Sequence, residues 1–278
     1  MSKFIKTNYD LNDKEIISAI DELSLWAAPF GLKLLETIKL KKNITALDIG
    51  FGLGFPLLEV AMRLGESCKV YGIDPWKAAI ERAKFKAKIY ELKNIEFILG
   101  VAENIPLPDK SINLITSNNG INNVEDLEKT FMECNRISKA NAQFVFTFNL
   151  GGTMIEFYNA FEEVLNDKGM LNEIGNIKEH IYTKRKPIYE VKKLVEGNGF
   201  IVNNIIKDEF CYRFTDCSAM MNHFLIRLAF LESWKDLIPE KRQAEVFDEI
   251  ENKLNKFAAN NRELKLTIPF AVFDCSKL

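Results

Sequence analysis

The spacing of apolar positions changes along this chain, and each change marks an element. From Asn12 to about Lys41 apolar residues recur at helical spacing, with Ile16, Ile20, Leu23, Trp26 and Ala27 on one stripe. Asn12, three residues before Glu15, reads as a capping box, and Pro29 and Gly31 predict a kink or a split. Short apolar runs then alternate with helical stripes. The pattern predicts strand 45–49, helix 56–64, strand 68–73, helix 76–91, strand 95–99, strand 112–117, helix 124–138 and strand 142–148. In the helix over 76–91, Trp76, Ile80, Ala83, Ala87 and Tyr90 form a buried stripe. Strands alternating with helices of this length predict a parallel sheet covered on both faces.

Beyond residue 150 the alternation lapses. Residues 151–183 read as mixed helical and polar, with Gly169 and Gly175 as breaks. A helix resumes over 187–196, stopped by Gly197-Asn198-Gly199, and strand 200–207 follows. Residues 211–261 form a second insertion, helical over about 218–231 and 240–259, ahead of a last strand over 264–273.

The candidate chemistry sits at the ends of the first two strands. Ala46 to Gly54 is an apolar strand running into Gly50, Gly52 and Gly54, a turn in which bare backbone approaches a ligand and positive φ is free. Asp74 closes the next apolar run, where a carboxylate accepts hydrogen bonds from both hydroxyls of a ribose. Together they point to an adenosine-bearing cofactor. The dinucleotide fingerprint asks for a third glycine where Phe55 stands, and no Lys-Ser/Thr of a P-loop follows. A nicotinamide oxidoreductase is therefore the weaker reading.

At these residues the chain resembles the class I S-adenosylmethionine-dependent methyltransferases, in particular the ubiquinone/menaquinone and arsenite methyltransferase-like group. Asp48 to Gly54 is similar to their first motif and Asp74 to their ribose carboxylate. Gly100-Val101-Ala102-Glu103 and Ile105 to Ile115 resemble the stretch that lines the adenine pocket and enters strand four. Asn113 stands where many relatives carry Asp, and Lys139-Ala140-Asn141-Ala142 replaces a Lys-Pro-Gly-Gly turn; Asn tolerates the left-handed conformation such a turn needs. The match is tight over 44–150 and looser over 187–207 and 262–275.

The resemblance implies one methyltransferase domain over 1–278. Its fold is α/β, a Rossmann-like, doubly wound, mostly parallel seven-stranded sheet with an antiparallel last strand and a helical cap. The core is expected over about 42–150, 187–210 and 262–278, and the cap over about 151–186 and 211–261. The cofactor it implies is S-adenosylmethionine. Gly50, Gly52 and Gly54 would lie close to its methionine and ribose portions, Asp48 would orient its amino end, and Asp74 would hold the ribose. Trp76 either lies against the adenine or belongs to the helical stripe. Ala102 and Glu103 border the other edge of the adenine, unless Glu103 is only a solvated carboxylate. Asn118 and Asn119 orient either ligand, and Tyr9 folds over the cofactor.

Composition narrows the partners. Hydrophobic residues make up 47% of the chain, enough for a full core, and a net charge of −2 leaves no electrostatic footprint for a polyanion. Lys184-Arg185-Lys186 is the one dense basic run. Ser117-Asn118-Asn119-Gly120 lacks the Asn/Asp-Pro-Pro-aromatic sequence with which nucleic-acid amino-methylases hold a flipped base, so a nucleic-acid substrate is not expected. Five scattered cysteines form neither a disulfide framework nor a close metal cluster and suit a reducing cytoplasm. Met1 to Asn8 carry no long apolar region, and no stretch approaches about eighteen uninterrupted apolar residues, so stable membrane insertion is not expected.

The expected acceptor is a small or medium-sized organic molecule under the cap, where Phe157, Tyr158, Phe161, Phe214, Phe224, Phe230 and Trp234 either line it or build the cap's own core. Residues 219–231 present a wide apolar face for a lipid-like or quinone-like acceptor, or for a second copy of the chain in a homodimer. An arsenic acceptor would need Cys211 and Cys217. Asn119 and His223 are the candidate catalytic groups, His223 lying on an apolar helix where a packing role competes. His180 lies in a polar stretch and is expected at the surface. The alternative outside enzymology is an inactive, cofactor-binding interaction protein of the same fold.

Overall fold

A computed structural model describes residues 9–21 and 25–278. Leu23 of the first apolar stripe lies outside the described residues. The first stripe yields two helices, α1 (Lys14–Asp21) and α2 (Ala27–Thr37). The cap of α1 is Asp13, whose Oδ1 accepts from the N–H groups of Glu15 and Ile16, not Asn12 as the sequence suggested. Pro29 does not break α2: it occupies the third helical position, where an N–H has no intrahelical partner to lose. Gly31 belongs to α2 as well, and a Cβ there would lie 2.2 Å from the Phe55 ring. The helix can come this close only because that side chain is missing.

Seven strands form one sheet in the order β3-β2-β1-β4-β5-β7-β6. They are β1 (Thr45–Ile49), β2 (Lys69–Asp74), β3 (Ile95–Leu99), β4 (Ile112–Ser117), β5 (Ser138–Asn149), β6 (Phe200–Phe214) and β7 (Leu264–Lys277). β1 to β5 pair in parallel, and β7 runs antiparallel to β5 with Asn149 opposite Phe270. The central strand β1, Thr-Ala-Leu-Asp-Ile, is buried along nearly its whole length, as parallel strands covered on both faces are. The intervening helices are α3 (Leu57–Leu64), α4 (Lys77–Ile89), α5 (Leu127–Ile137) and α8 (Ile188–Gly197).

Three boundaries differ from the sequence pattern for local reasons. Trp76 precedes α4 rather than joining its stripe. α5 starts at Leu127, because Ile121–Asn123 make a separate 3-10 turn and the Asp126 carboxylate caps the helix by accepting from Lys129 N–H at 2.9 Å. β5 begins before the expected turn: Ser138 already pairs with Ile112, and Asn141, at φ 60°, carries an irregularity within the strand.

The described residues divide into two compact units. The first comprises 11–149, 187–208 and 270–278 and holds the parallel sheet and its helices; the second comprises 9–10, 150–186 and 209–269. In the second, α6 (Ile155–Asp167) and α7 (Leu171–Lys184) pack together, and α12 (Glu240–Asn261) packs on α6 and on α9 (Cys217–Asn222). Gly169, at φ 67°, ends α6 as expected, but Gly175 lies inside α7, where nothing within 4 Å would meet a side chain. The helix tolerates it at a cost of about 1 kcal/mol relative to alanine.

The helix expected over 218–231 is three pieces: α9, α10 (Phe224–Ala229) and α11 (Leu231–Lys235). His223, with an extended ψ of 130°, is the break between the first two, and Asn255 Oδ1 accepts the Cys217 N–H that opens α9. Met220, Met221, Leu225, Ile226 and Leu231 are all buried, so most of the apolar face expected over 219–231 packs within the protein, with Phe224, Leu228 and Phe230 half-buried. The aromatic residues of this unit sort into two groups. Phe157 stacks on Trp234 at 3.9 Å, Phe161 meets Phe247, and with Tyr158 they are fully buried as the unit's core. Phe214, Phe224 and Phe230 are only half-buried. Among the described residues no helix is long and apolar enough to cross a membrane.

Candidate active site

Everything that distinguishes the first unit chemically lies where β1, β2 and β4 end. Gly50, at φ 71°, turns the chain off β1, and its N–H donates back to Ile73 O. A Cβ on Gly50 would sit 2.5 Å from Gly120 Cα, and one on Gly120 would sit 2.3 Å from Ile49 O. Two backbones thus close on one another without side chains, which brings the tip of β4 against the glycine turn. Gly120 was not singled out in the sequence, although a glycine directly after a strand tip is the signal that finds it. Gly52 donates its N–H to Asp74 Oδ2 at 2.8 Å. Gly54 serves the helices: a Cβ there would meet Leu58 at 2.9 Å and Ala83 at 3.3 Å.

Phe51, between the first two glycines, turns inward and packs edge-on against Phe97 of β3. Gly72 makes room for it, since a Cβ there would come within 2.8 Å of the Phe51 ring. Phe55 fills the space beside Gly31, so the position that a dinucleotide site reserves for a third glycine is used for packing.

Asp74 is 6% exposed at the end of β2. Its Oδ2 holds Gly52 N–H and its Oδ1 holds Trp76 N–H, each at 2.8 Å. One lone pair on each oxygen is left for a ligand. Burial raises its pKa, and the two backbone N–H groups oppose that rise. Asp48 lies one strand away, opposite Gly72 and Thr116 in the sheet register, and is fully buried. Thr116 Oγ1 donates to its Oδ1 at 2.6 Å, while its Oδ2 is buried with no partner. Burial pushes this carboxyl up to about 7; the Thr116 bond lowers it, and the charge of Asp74 raises it further.

A cavity of about 690 Å³ opens beside these groups, in the size range of small-molecule sites. Gly50, Asp74 and Gly120 line it together with the apolar surfaces of Ile73, Val101, Ala102 and Val124. Trp76 and Glu103 also line it, so both sequence candidates reach the cavity. Trp76 is half-buried, its Nε1 donating to Leu11 O at 3.0 Å. Glu103 Oε1 accepts from the N–H groups of Glu125 and Asp126, joining the loop after β3 to the loop before α5. Arg136, which the sequence did not single out, steadies that wall from behind. Its guanidinium donates to Ile105 O and Leu107 O and pairs with Glu133 and Asp109.

The β4 tip adds two amides. Asn118 Nδ2 donates to Ala27 O and its Oδ1 accepts from Thr147 Oγ1, so both ends are occupied within the fold. Asn119 adopts φ 62°, and its buried Nδ2 has no partner. Asp48, Gly52, Gly54, Asn118 and Asn119 do not line the cavity described above.

The second unit holds the other candidates. His223 lies among the rings of Phe214 and Tyr212, at 5.4 and 6.4 Å, with its Nδ1 buried and unpartnered. Tyr9 packs edge-on against Phe224. His180 is half-buried rather than at the surface, because its ring lies 6.3 Å from that of Tyr158. Cys217 is fully buried, and burial holds its thiol well above the ordinary range.

A doubly wound α/β sheet with a glycine turn after β1, a carboxylate closing β2 and a cavity between them defines a nucleoside-cofactor enzyme. Residues 40–250 match the family described as methyltransferase domain. An uncharacterized methyltransferase, YcgJ, of Bacillus subtilis is 22% identical over 204 residues, 73% of this chain and 72% of that protein. A demethylmenaquinone methyltransferase of Geobacillus sp. is 30% identical over 123 residues, 44% of this chain and 53% of that protein, so the chain spans about half of that relative's length. A crystal structure of a SAM-dependent methyltransferase from Aquifex aeolicus shares the fold, with a TM-score of 0.53, 24% identity, and coverage of 70% of this chain and 92% of that one. This chain belongs to the S-adenosylmethionine-dependent methyltransferase family, and S-adenosylmethionine is its cofactor.

Proposed function

We propose that the chain transfers the methyl group of S-adenosylmethionine to a small or medium-sized organic acceptor selected by the helical unit. The observation that carries this reading is the chemistry of the β1–β2 cavity, with apolar walls and two free lone pairs on Asp74; Asp48, one strand away and outside the lining, adds an orphaned carboxylate oxygen. Asp74 accepts the two ribose hydroxyls, and the apolar walls with Trp76 take the adenine. Asp48 ionises to hold the ammonium of the methionine portion, which supplies the partner its buried Oδ2 lacks. Gly50 and Gly120 let the ligand lie against backbone.

The bound cofactor supplies a methyl group already activated on a sulfonium. The protein's task is then to align the acceptor atom behind that carbon and keep water out. Asn119 Nδ2, a buried donor with no bond of its own, orients the ligand at the β4 tip. Arsenic chemistry is disfavoured because a thiol buried as deeply as Cys217 is a poor thiolate.

The test is formation of S-adenosylhomocysteine by the purified chain across phenolic, carboxylic and amine acceptors. Product formation that depends on an acceptor and disappears in Asp74→Ala supports the reading. Tight cofactor binding with no turnover on any acceptor would favour the non-catalytic alternative.

A further inference from the structure

The basic run 184–186 resembles a solvated patch, and two of its three members behave as one. Lys184 is exposed, and Lys186 lays its ammonium over the ring of Tyr182 at 4.5 Å. Arg185, between them, is only 6% exposed. Its guanidinium stands 5.3 Å from the centre of the Tyr158 ring, it forms no ion pair among the described residues, and its Nη1 is buried without a hydrogen-bond partner. Charged side chains are almost never buried unless paired, because removing a guanidinium from water is compensated only by a good counter-charge and satisfied donors.

The surroundings repeat the same deficit. Tyr158 is 1% exposed, and its hydroxyl oxygen accepts from Trp234 Nε1 at 3.1 Å, so its own proton is the group left to donate. His180, beside the Tyr158 ring, is held below its ordinary pKa by burial and by the charges of Arg185 and Lys184, which keeps it neutral rather than adding a second cation. Around Arg185 the second unit therefore offers buried donors and a positive charge, and no carboxylate among the described residues pairs with it.

We propose that Arg185, with Tyr158 beside it, is a binding site for an oxyanion, the carboxylate or phosphate group of the methyl acceptor. The planar guanidinium matches both groups with parallel N–H bonds, and the ring beneath it fixes its plane. The acceptor is then an acidic organic molecule, anchored through its anionic end in the helical unit. This inference rests on the function proposed above for its identification of the ligand as the acceptor.

The test uses the full chain and two probes, inorganic phosphate and benzoate, titrated at constant ionic strength against chloride. The readout is the ring proton signals of the two histidines, assigned with His223→Gln. The expected result is a saturable shift of the His180 signal with phosphate, which would indicate a phosphate ester, or with benzoate, which would indicate a carboxylic acid. Arg185→Lys weakens that response by about tenfold or more, and Arg185→Met abolishes it. Without any probe, Arg185→Met melts higher than the parent, since it removes an unpaired buried charge. No saturable response to either probe in the parent, an unchanged response in Arg185→Met, or a lower melting temperature for that variant would overturn the proposal. If Arg185→Met does not fold, the parent titration and Arg185→Lys decide. S-adenosylhomocysteine titrated into the same samples separates the two readings: its binding is unchanged in the Arg185 variants, and its failure to bind the parent would sink the proposed function independently.

Discussion

Among the described residues, the two units differ in the ionisable side chains that they leave with a buried, unsatisfied atom. In the sheet unit the charged orphan is an acceptor, Asp48 Oδ2; in the helical unit the orphans on basic side chains are Arg185 Nη1, Arg227 Nε and His223 Nδ1. A fold that had only to be stable would pair or replace these groups, because each costs free energy to bury alone. On the readings proposed above, the difference prepares the two units for ligands of opposite charge. A carboxylate in the sheet unit suits the cationic cofactor, and the Arg185 guanidinium in the helical unit suits the anion proposed above.

The sheet unit's side of this contrast depends on backbone closeness, and that is where the largest effect is expected. Gly120→Ala places a Cβ 2.3 Å from Ile49 O, a backbone atom that cannot step aside, and should cost roughly 3 kcal/mol or more in denaturant unfolding. Next comes Asp74→Ala. It strands the N–H groups of Gly52 and Trp76 and removes the proposed ribose acceptor, so calorimetry should show S-adenosylmethionine bound about 100-fold more weakly or not at all.

Asp48 sharpens the comparison through pH. Its folded-state pKa, about 7, lies above the ordinary 3.8, so between those values the folded chain holds a proton that the unfolded chain releases. Stability from this group is present in full below about pH 4 and is lost as pH rises through about 7. On the proposed reading cofactor binding runs the other way, since the ammonium would need the ionised form. Affinity should be about tenfold weaker at pH 6 than at pH 8, and Asp48→Asn should flatten that dependence while weakening binding at the higher pH. The smallest effect belongs to Gly52→Ala: nothing within 4 Å opposes a Cβ there, so only its φ of 51° is strained, at about 1 kcal/mol.

Much of the sheet unit was legible in the sequence because its signals are local. The strands over 45–49, 95–99 and 112–117 are short apolar runs that the structure reproduces residue for residue, and the glycine turn and Asp74 mark the cavity between them. The sequence pattern ended the sixth strand at Lys207, ahead of Asp208 and Glu209; β6 nevertheless runs on to Phe214, because strand pairing in the sheet does not depend on hydrophobicity at every position. An apolar helical run looks continuous from 218 to 231, yet it breaks at His223, whose backbone is extended, while Asp216 and Asn255 cap the opposite end of α9 at Ala219 and Cys217. Arg185 was least legible of all. Between two lysines it has the composition of a surface patch, and only its burial, set by residues far away in sequence, shows otherwise.

The most direct test of the sheet unit as the cofactor site is calorimetric titration of the full chain with S-adenosylmethionine, S-adenosylhomocysteine and, separately, NADH. Saturable micromolar binding of the two sulfur nucleosides, lost in Asp74→Ala, with none for NADH is the expected result. A folded chain that binds neither sulfur nucleoside would contradict it.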